Sequence, residues 1–246
     1  MASYLITGCL GRVGSRVVAE CLRQGKKVAG VDVARGVFEA GVPEDKTPTS
    51  YMQLDLADAG SAFAAVMKFR PDVVVHCAAI PDMTHNPGFE VLQSNTMSTY
   101  NILEACVGLG VRRFVNISSL QVLGIMKSPD EESRLPRFSY VPIDEKHPVS
   151  PENPYALSKL FGEVLCEAAV KRRQNFSAVS LRPTWCVDES NIERNLGALI
   201  RDPNQRSETV WSYVCLPDVT DAVIKAAESD SIRGHEVRVT TSRVLD

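Results

Sequence analysis

The sequence has 246 residues, of which 44% are hydrophobic and 23% are charged, a composition typical of a folded globular protein rather than a disordered one. Its 27 basic and 30 acidic residues give a formal net charge of -3, which argues against a nucleic acid or an anionic membrane surface as the main partner. No apolar run approaches the roughly 18 residues of a membrane span, and the N-terminus lacks the pattern of a signal peptide. We therefore expect a cytoplasmic protein.

The seven cysteines and four histidines show no metal-site or disulfide pattern. The number of cysteines is odd, and no two have C-x-x-C spacing. No two histidines form an H-x-x-x-H pair. We expect reduced thiols that pack as small apolar side chains, and no metal ion.

Strand-like and helix-like segments alternate along the chain. Short apolar runs predict strands at residues 4–7, 27–31, 52–54, 73–77, 113–117, 176–181 and 236–240. Helical spacing of apolar residues predicts helices at 13–24, 57–69, 89–109 and 155–174. Two long loops are predicted, one at about 35–50 and one at 127–154 that holds six prolines.

This alternation predicts βαβ units, a parallel sheet and right-handed crossovers. In such a sheet the ligand crevice lies beyond the carboxyl ends of the strands. The residues that directly follow each predicted strand are therefore the candidate site.

A glycine-rich turn joins the first predicted strand to the first helix. Residues 8–14 read GCLGRVG, which is a G-x-x-G-x-x-G pattern. Gly8 suits a tight turn, Gly11 lets the backbone approach a pyrophosphate, and Gly14 allows close packing of the helix on the strand. The following helix N-terminus favours phosphate. The same pattern also occurs in turns that bind nothing, so it needs further support.

Asp32, at the end of the second predicted strand, supplies that support. A carboxylate about 20 residues after the turn accepts hydrogen bonds from an adenosine ribose and repels a 2′-phosphate, which favours NAD over NADP. Arg35 follows three residues later and would soften this preference. Asp55 follows the third predicted strand, where it would contact the adenine or cap the next helix.

The chemistry is predicted to reside in Tyr155 and Lys159, which share one face of a helix. A free tyrosine has a pKa near 10, about three units too high for a general base at neutral pH. A nearby ammonium and the positive nicotinamide ring would both lower this pKa. Ser119 follows the fifth predicted strand, where its hydroxyl would bind the reacting oxygen.

These features resemble the extended short-chain dehydrogenase/reductase superfamily, and within it the NAD-dependent epimerase/dehydratase group. The resemblance covers roughly residues 3–240. Its further motifs are CAA at 77–79, NTMSTYNILEA at 95–105, SSLQVLG at 118–124 and PENPYALSK at 151–159. It implies an α/β fold, a single Rossmann-type domain with a doubly wound parallel sheet and a small or truncated C-terminal substrate-binding part at about 183–246.

The resemblance also implies roles for individual residues. The catalytic residues would be Ser119, Tyr155 and Lys159. The cofactor-binding residues would be Gly8, Gly11, Arg12, Val13, Gly14, Asp32, Asp55, Leu56, Cys77, Ala78, Ala79, Asn95, Ile117, Tyr155, Lys159 and Pro183. The substrate-binding residues would be Ile80, Ser119, Gln121 and Arg182.

The sequence departs from the sugar-nucleotide epimerases of this group. Leu123 stands where they usually carry a tyrosine, and 184–188 read TWCVD where they usually carry an asparagine and a VYGP-like run. The chain also ends soon after the last predicted strand. These departures make it resemble the smaller dehydrogenases that act on uronates, in which case Arg182 would anchor a substrate carboxylate. The alternative is that Arg182 packs at the strand end.

The expected function is NAD-dependent hydride transfer on a sugar-like small molecule, with Tyr155 exchanging the proton. An epimerase or dehydratase uses the same chemistry, and the sequence does not separate these activities. An alternative of another class is a non-catalytic dinucleotide sensor. By analogy with relatives, a homodimer would form through the helices at 89–109 and 155–174.

Overall fold

The computed structural model describes residues 2–34, 47–81, 86–124, 138–202 and 212–241. Arg35 and most of the first predicted long loop lie outside the described residues. So do His85, Trp211 and residues 127–137 of the second predicted loop.

Nine strands are present in the described residues. They are β1 (Ser3–Thr7), β2 (Lys27–Asp32), β3 (Ser50–Gln53), β4 (Val73–His76), β5 (Arg113–Ile117), β6 (Ser177–Pro183), β7 (Trp185–Val187), β8 (Tyr213–Cys215) and β9 (His235–Thr240). Seven of them form one parallel sheet in the order β3-β2-β1-β4-β5-β6-β9. The strand order reverses between β1 and β4, and a crevice forms at such a point in doubly wound sheets. β7 and β8 pair separately.

Helices cover both faces of the large sheet. They are α1 (Arg12–Arg23), α2 (Ala59–Phe69), α3 (Gly88–Leu109), α4 (Pro154–Arg172), α5 (Ile192–Arg201) and α6 (Leu216–Glu228), with a short 3-10 helix at Leu120–Leu123. The apolar sides of α1 and α6 form one core layer. Those of α2, α3 and α4 form the other. The predicted doubly wound α/β fold is confirmed.

The two core layers follow from the alternation of side chains along the strands. On β1, Tyr4 and Ile6 belong to the layer with α1, whereas Leu5 belongs to the layer with α3. Both faces of the strand are buried, so its sequence is a continuous apolar run rather than an alternating one.

Element boundaries differ from the predictions where side chains cap the helices. Helix α2 begins two residues later than predicted because the Asp58 side chain accepts a hydrogen bond from the Ser61 N–H at 2.7 Å. Helix α4 begins at Pro154 because Asn153 caps it and proline suits the first turn. The predicted strand 52–54 is shifted, since β3 ends at Gln53. The three-residue strands β7 and β8 were not predicted, because runs this short carry little periodic signal.

Candidate functional site

The glycine turn has the geometry of a phosphate-binding turn. Gly8 has a φ of 60°, and a Cβ there would lie 2.6 Å from the Ala78 nitrogen. A Cβ on Gly14 would lie 2.1 Å from the Gly8 carbonyl oxygen, so α1 packs directly on the turn. Gly11 precedes α1, and no side-chain hydrogen bond caps the helix. The helix N-terminus therefore presents backbone N–H groups next to a turn in which Gly8 and Gly11 carry no side chain.

A cavity of about 310 Å³ opens beside this turn at the carboxyl ends of β1, β2 and β4. Predicted cofactor residues supply half of its lining, namely Gly8, Gly11, Asp32, Asp55, Leu56, Cys77, Ala78 and Ala79. The predicted substrate residue Ile80 lines the same cavity. The remaining lining residues are Leu10, Val31, Val33, Ala34, Leu54, Ser94 and Ser98.

The Asp32 carboxylate is held at the end of β2 by backbone groups. Its Oδ2 accepts a hydrogen bond from the Leu10 N–H at 3.0 Å, and its Oδ1 accepts one from the Ala34 N–H at 3.3 Å. Asp32 thus links the glycine turn to the cavity wall. Asp55 also lines the cavity, and it is not the N-cap of α2, because Asp58 occupies that position.

Asn95 holds the cavity wall in place from helix α3. Its Oδ1 accepts a hydrogen bond from the Ile80 N–H at 2.7 Å, and its Nδ2 donates to the Ile80 carbonyl at 3.0 Å. Nδ2 also lies 3.2 Å from the Ser158 hydroxyl on α4. Asn95 is 3% exposed, so it acts on the cavity through the backbone of Ile80.

The structure brings the three predicted catalytic residues together. Lys159 Nζ donates a hydrogen bond to the Ile117 carbonyl at 2.8 Å and lies 5.6 Å from the centre of the Tyr155 ring. The Ser119 side chain lies near the Tyr155 phenol, where it acts to lower the pKa of Tyr155. Ser119 Oγ also accepts from the Gln121 N–H at 3.2 Å, which leaves its proton available to the phenol oxygen.

Burial dominates the ionisation of Tyr155 and Lys159. It raises the pKa of Tyr155 to about 12, although the Ser119 hydrogen bond opposes the rise. Burial also lowers the pKa of Lys159 to about 8. The expected lowering of the Tyr155 pKa is not seen, because desolvation is the largest cause of its shift. The Tyr155 phenol is therefore protonated at neutral pH.

Arg182 packs in the interior rather than at an open surface. The residue is 4% exposed, and its Nε and Nη2 donate to Glu163 at 2.9 and 2.7 Å. Two of the three guanidinium nitrogens are therefore engaged by a buried carboxylate. This geometry favours the alternative, in which Arg182 packs at the strand end, over the carboxylate anchor.

The other predicted residues lie around these groups. Arg12 is half exposed, and its Nη2 lies 3.5 Å from the Asp188 carboxylate, so it has an anionic partner beyond the turn. Val13 packs partly buried against the core. Pro183 ends the buried strand β6. Gln121 lies in the 3-10 helix, where its Oε1 is 3.5 Å from Asn153 Nδ2.

Sequence reasoning missed Ser94, Ser98 and Glu163. Ser94 and Ser98 are four residues apart on α3 and line the cavity beside Asn95. Glu163 is four residues beyond Lys159 on α4. The helical period leads from Asn95 to Ser98 and from Ser98 back to Ser94, and it leads from Tyr155 through Lys159 to Glu163.

Two of the thiols are poorly suited to nucleophilic chemistry, because burial raises the pKa of Cys77 and of Cys166 to about 12. Within the described part of the chain, no cluster of three or more histidine, cysteine or acidic residues could hold a metal ion. No helix in that part is long and apolar enough to cross a membrane.

Comparison with known families agrees with this geometry. Residues 4–237 match the profile described as "NAD dependent epimerase/dehydratase family". The chain belongs to this family. The resemblance that the motifs predicted is thereby confirmed, and with it NAD as the cofactor of the family.

The curated relatives of this family member include UDP-glucose 4-epimerases. The enzyme from Drosophila melanogaster is 26% identical over 225 residues, which cover 86% of this chain and 60% of the relative. The enzyme from Mycolicibacterium smegmatis is 30% identical over 165 residues, covering 65% of this chain and 49% of the relative. The chain thus spans about half to three fifths of the length of these relatives.

Solved structures share the fold of this family member over its whole length. The UDP-Glc/GlcNAc 4-epimerase from Campylobacter jejuni superposes with a TM-score of 0.76 at 18% identity, covering 98% of this chain and 78% of that one. The Bordetella bronchiseptica enzyme WbmH in complex with NAD+ gives 0.73 at 20% identity, with coverages of 99% and 76%.

The residues present fit NAD. A side chain at Gly8 or Gly14 would collide with neighbouring backbone, and the uncapped N-terminus of α1 lies beside them. Gly8, Gly11 and Gly14 would hold the pyrophosphate, and Asp32 would accept hydrogen bonds from the adenosine ribose.

Proposed function

We propose that this chain catalyses NAD-dependent hydride transfer at a secondary alcohol or carbonyl of a sugar-type substrate. The observation that carries this proposal is the cluster of Ser119, Tyr155 and Lys159. Lys159 Nζ is held on the Ile117 carbonyl at 2.8 Å and lies 5.6 Å from the centre of the Tyr155 ring, with Ser119 beside the phenol. The cluster lies near the cavity, because Ser158, between Tyr155 and Lys159 on α4, is 3.2 Å from Asn95 Nδ2, and Asn95 holds the lining residue Ile80.

Each residue of the cluster has one task in the proposed reaction. When bound, NAD supplies a nicotinamide ring that accepts a hydride from the alcohol carbon or returns it to the carbonyl carbon. Tyr155 takes the hydroxyl proton as the alcohol becomes a carbonyl, and gives it back in the reverse direction. Ser119 orients the substrate oxygen by a hydrogen bond. Lys159 stabilises the Tyr155 phenolate through its positive charge.

The substrate class has two candidates, each supported by a different observation. The similarity to UDP-glucose 4-epimerases supports a nucleotide sugar and an epimerase or dehydratase reaction. The TWCVD run and Leu123 support oxidation of a smaller sugar such as a uronate. Leu123 is buried with Leu120 and Val122 in a small cluster, so no phenol from this position reaches a substrate. We favour the epimerase/dehydratase reaction, because the relatives cover most of this chain.

Incubation of the protein with NAD and each substrate class tests the proposal. Chromatography would support the favoured reaction if it detects an epimer of UDP-glucose or a dehydrated product of a dTDP-sugar. Formation of NADH with galacturonate or glucuronate, followed by absorbance, would support the second candidate. If no sugar in either class is converted, the proposed function is wrong.

A non-catalytic sensor remains the alternative from another class, and Tyr155→Phe separates it from an enzyme. In an enzyme this substitution should abolish turnover and leave NADH affinity nearly unchanged. Tyr4→Phe is the matched control, because Tyr4 lies at the amino end of β1 and its hydroxyl contacts Glu228. Full activity of Tyr155→Phe would remove Tyr155 from the mechanism.

We also propose that the chain forms a homodimer through α3 and α4 and that residues 183–246 form the substrate side. Apolar side chains remain exposed on both helices, namely Phe89, Met97, Tyr100 and Leu109 on α3 and Phe161 and Val164 on α4. Such a surface is typical of an interface. The assignment predicts that the wild type sediments as a dimer and Val164→Glu as a monomer. A wild-type monomer would contradict it.

A further inference from the structure

Ile117 is the last residue of β5, and Ser118 and Ser119 follow it. Each of these three residues contacts one of three residues on α4 that are spaced at intervals of four. The contacts pair Ile117 with Lys159, Ser118 with Glu163, and Ser119 with Tyr155. Positions four apart lie on one face of a helix. One face of α4 is therefore held against one strand end by the two proposed catalytic residues and by Glu163.

The Glu163 contact is part of a buried charged network. Glu163 Oε1 accepts a hydrogen bond from the Ser118 hydroxyl at 2.6 Å and from Arg182 Nε at 2.9 Å, and its Oε2 accepts from Arg182 Nη2 at 2.7 Å. The side chains of Glu163 and Arg182 are 6% and 5% exposed. The Ser118 N–H also donates to the Leu181 carbonyl at 2.8 Å, which ties the end of β5 to β6.

We infer that the Ser118–Glu163–Arg182 network positions α4 on the sheet. It thereby determines the distances within the cluster of Ser119, Tyr155 and Lys159. The inference rests on the proposed function for its catalytic consequence. Glu163 and Arg182 touch neither substrate nor cofactor in this account; they act through Ser118 and through α4.

Stability alone does not require a buried charged network at this position, and this supports a geometric role. Removing two charges from water costs several kcal/mol per ion, and apolar residues of similar volume often replace a buried ion pair without loss of stability. Among the described residues, no atom accepts a hydrogen bond from Arg182 Nη1, so one buried donor is unsatisfied. What apolar side chains cannot reproduce is the hydrogen bond that the Ser118 hydroxyl donates to Glu163.

The double variant Glu163→Met/Arg182→Met separates geometry from stability. We expect its NADH affinity to match the wild type, because the glycine turn is untouched. Its unfolding midpoint should fall only slightly, because neither charge is left unpaired and only the Ser118 hydroxyl loses its acceptor. We expect kcat to fall by about 10- to 100-fold, since small misplacements of catalytic groups have effects of this size. A double variant that keeps the wild-type kcat would overturn the inference.

Ser118→Ala provides a second, milder test should the double variant not fold. It keeps the ion pair and removes only the bond to β5, so kcat should fall while the unfolding midpoint changes little. Unchanged kcat would count against the network. The matched control is Glu104→Gln/Arg172→Gln, which removes a more exposed ion pair between α3 and the far end of α4 and should leave kcat unchanged.

A crystal structure of the NAD complex of the double variant separates this inference from the proposed function. We expect the Lys159 Nζ to Ile117 carbonyl contact, 2.8 Å here, to open in the variant. An unchanged contact would refute the positioning role. If the wild type converts no sugar but the contact opens, the proposed function fails and the positioning role stands.

Discussion

Gly14 lies so close to Gly8 that a Cβ on Gly14 would be 2.1 Å from the Gly8 carbonyl oxygen. The contact joins the first turn of α1 to the end of β1. It is a backbone contact, so no flexible side chain can move away to relieve an added methyl group. The close approach therefore requires glycine on α1 at this position, although glycine is a poor helix former.

Gly14→Ala should destabilise the fold by about 1–3 kcal/mol, because overpacking against backbone outweighs the gain in helix propensity. The free energy of unfolding in urea measures this. Gly108→Ala is the matched control inside α3, where a Cβ would lie 3.6 Å from Phe63, an ordinary contact. Gly108→Ala should raise the free energy of unfolding by about 0.5–1 kcal/mol. Equal effects of the two substitutions would contradict the close packing of the turn.

Asp32→Asn should weaken the preference for NADH over NADPH. The asparagine keeps an oxygen that can accept the Leu10 N–H hydrogen bond seen at 3.0 Å, so the turn should stay in place. The negative charge that repels a 2′-phosphate is removed. Fluorescence titration with both dinucleotides measures the ratio of affinities. If the wild type binds NADH and NADPH with equal affinity, Asp32 does not select the cofactor.

Asn95→Ala should weaken NADH binding by about 1–3 kcal/mol, because it leaves both backbone groups of Ile80 without their partner. The cavity wall at 77–80 would then lose the contacts that Asn95 makes at 2.7 and 3.0 Å. Calorimetric titration with NADH measures the loss. Unchanged affinity would show that strand β4 alone holds this wall.

His76 should make the fold sensitive to acid. Burial lowers the pKa of His76 from 6.5 to about 3, and its ring nitrogens contact Thr7 and Thr99 at 2.8 and 3.1 Å. As the pH falls from 6.5 to 3, the unfolded chain takes up a proton that the folded chain does not. Stability should therefore fall, with a slope approaching about 1.4 kcal/mol per pH unit from this residue.

His76→Gln removes this titration and keeps groups that can contact both threonines. Below pH 6.5 the wild type should lose stability relative to the variant. The unfolding free energy of the wild type minus that of the variant should therefore decrease as the pH falls. Urea unfolding at a series of pH values measures it. A difference that stays constant between pH 6.5 and 3 would mean that His76 is protonated in the folded chain.

Local sequence determined much of this protein. Tyr4–Ile6 and Val73–Val75 are apolar at every residue, and such short continuous runs are typical of strands buried on both faces, so the parallel sheet was predictable. The turn at 8–14 and the Tyr155–Lys159 spacing were also readable, because each depends on residues within one or two helical turns. These signals were enough to indicate the family and the edge of the sheet that carries the site.

Only the tertiary structure decided what the long-range contacts do. Arg182 was equally compatible with a substrate anchor and with packing until Glu163, 19 residues earlier on a different element, was found to bind it. The pKa of Tyr155 likewise depends on burial by the whole fold rather than on Lys159 one turn away. Charge pairing and desolvation depend on which groups are brought together in space, and sequence spacing specifies this only within a single helix or strand.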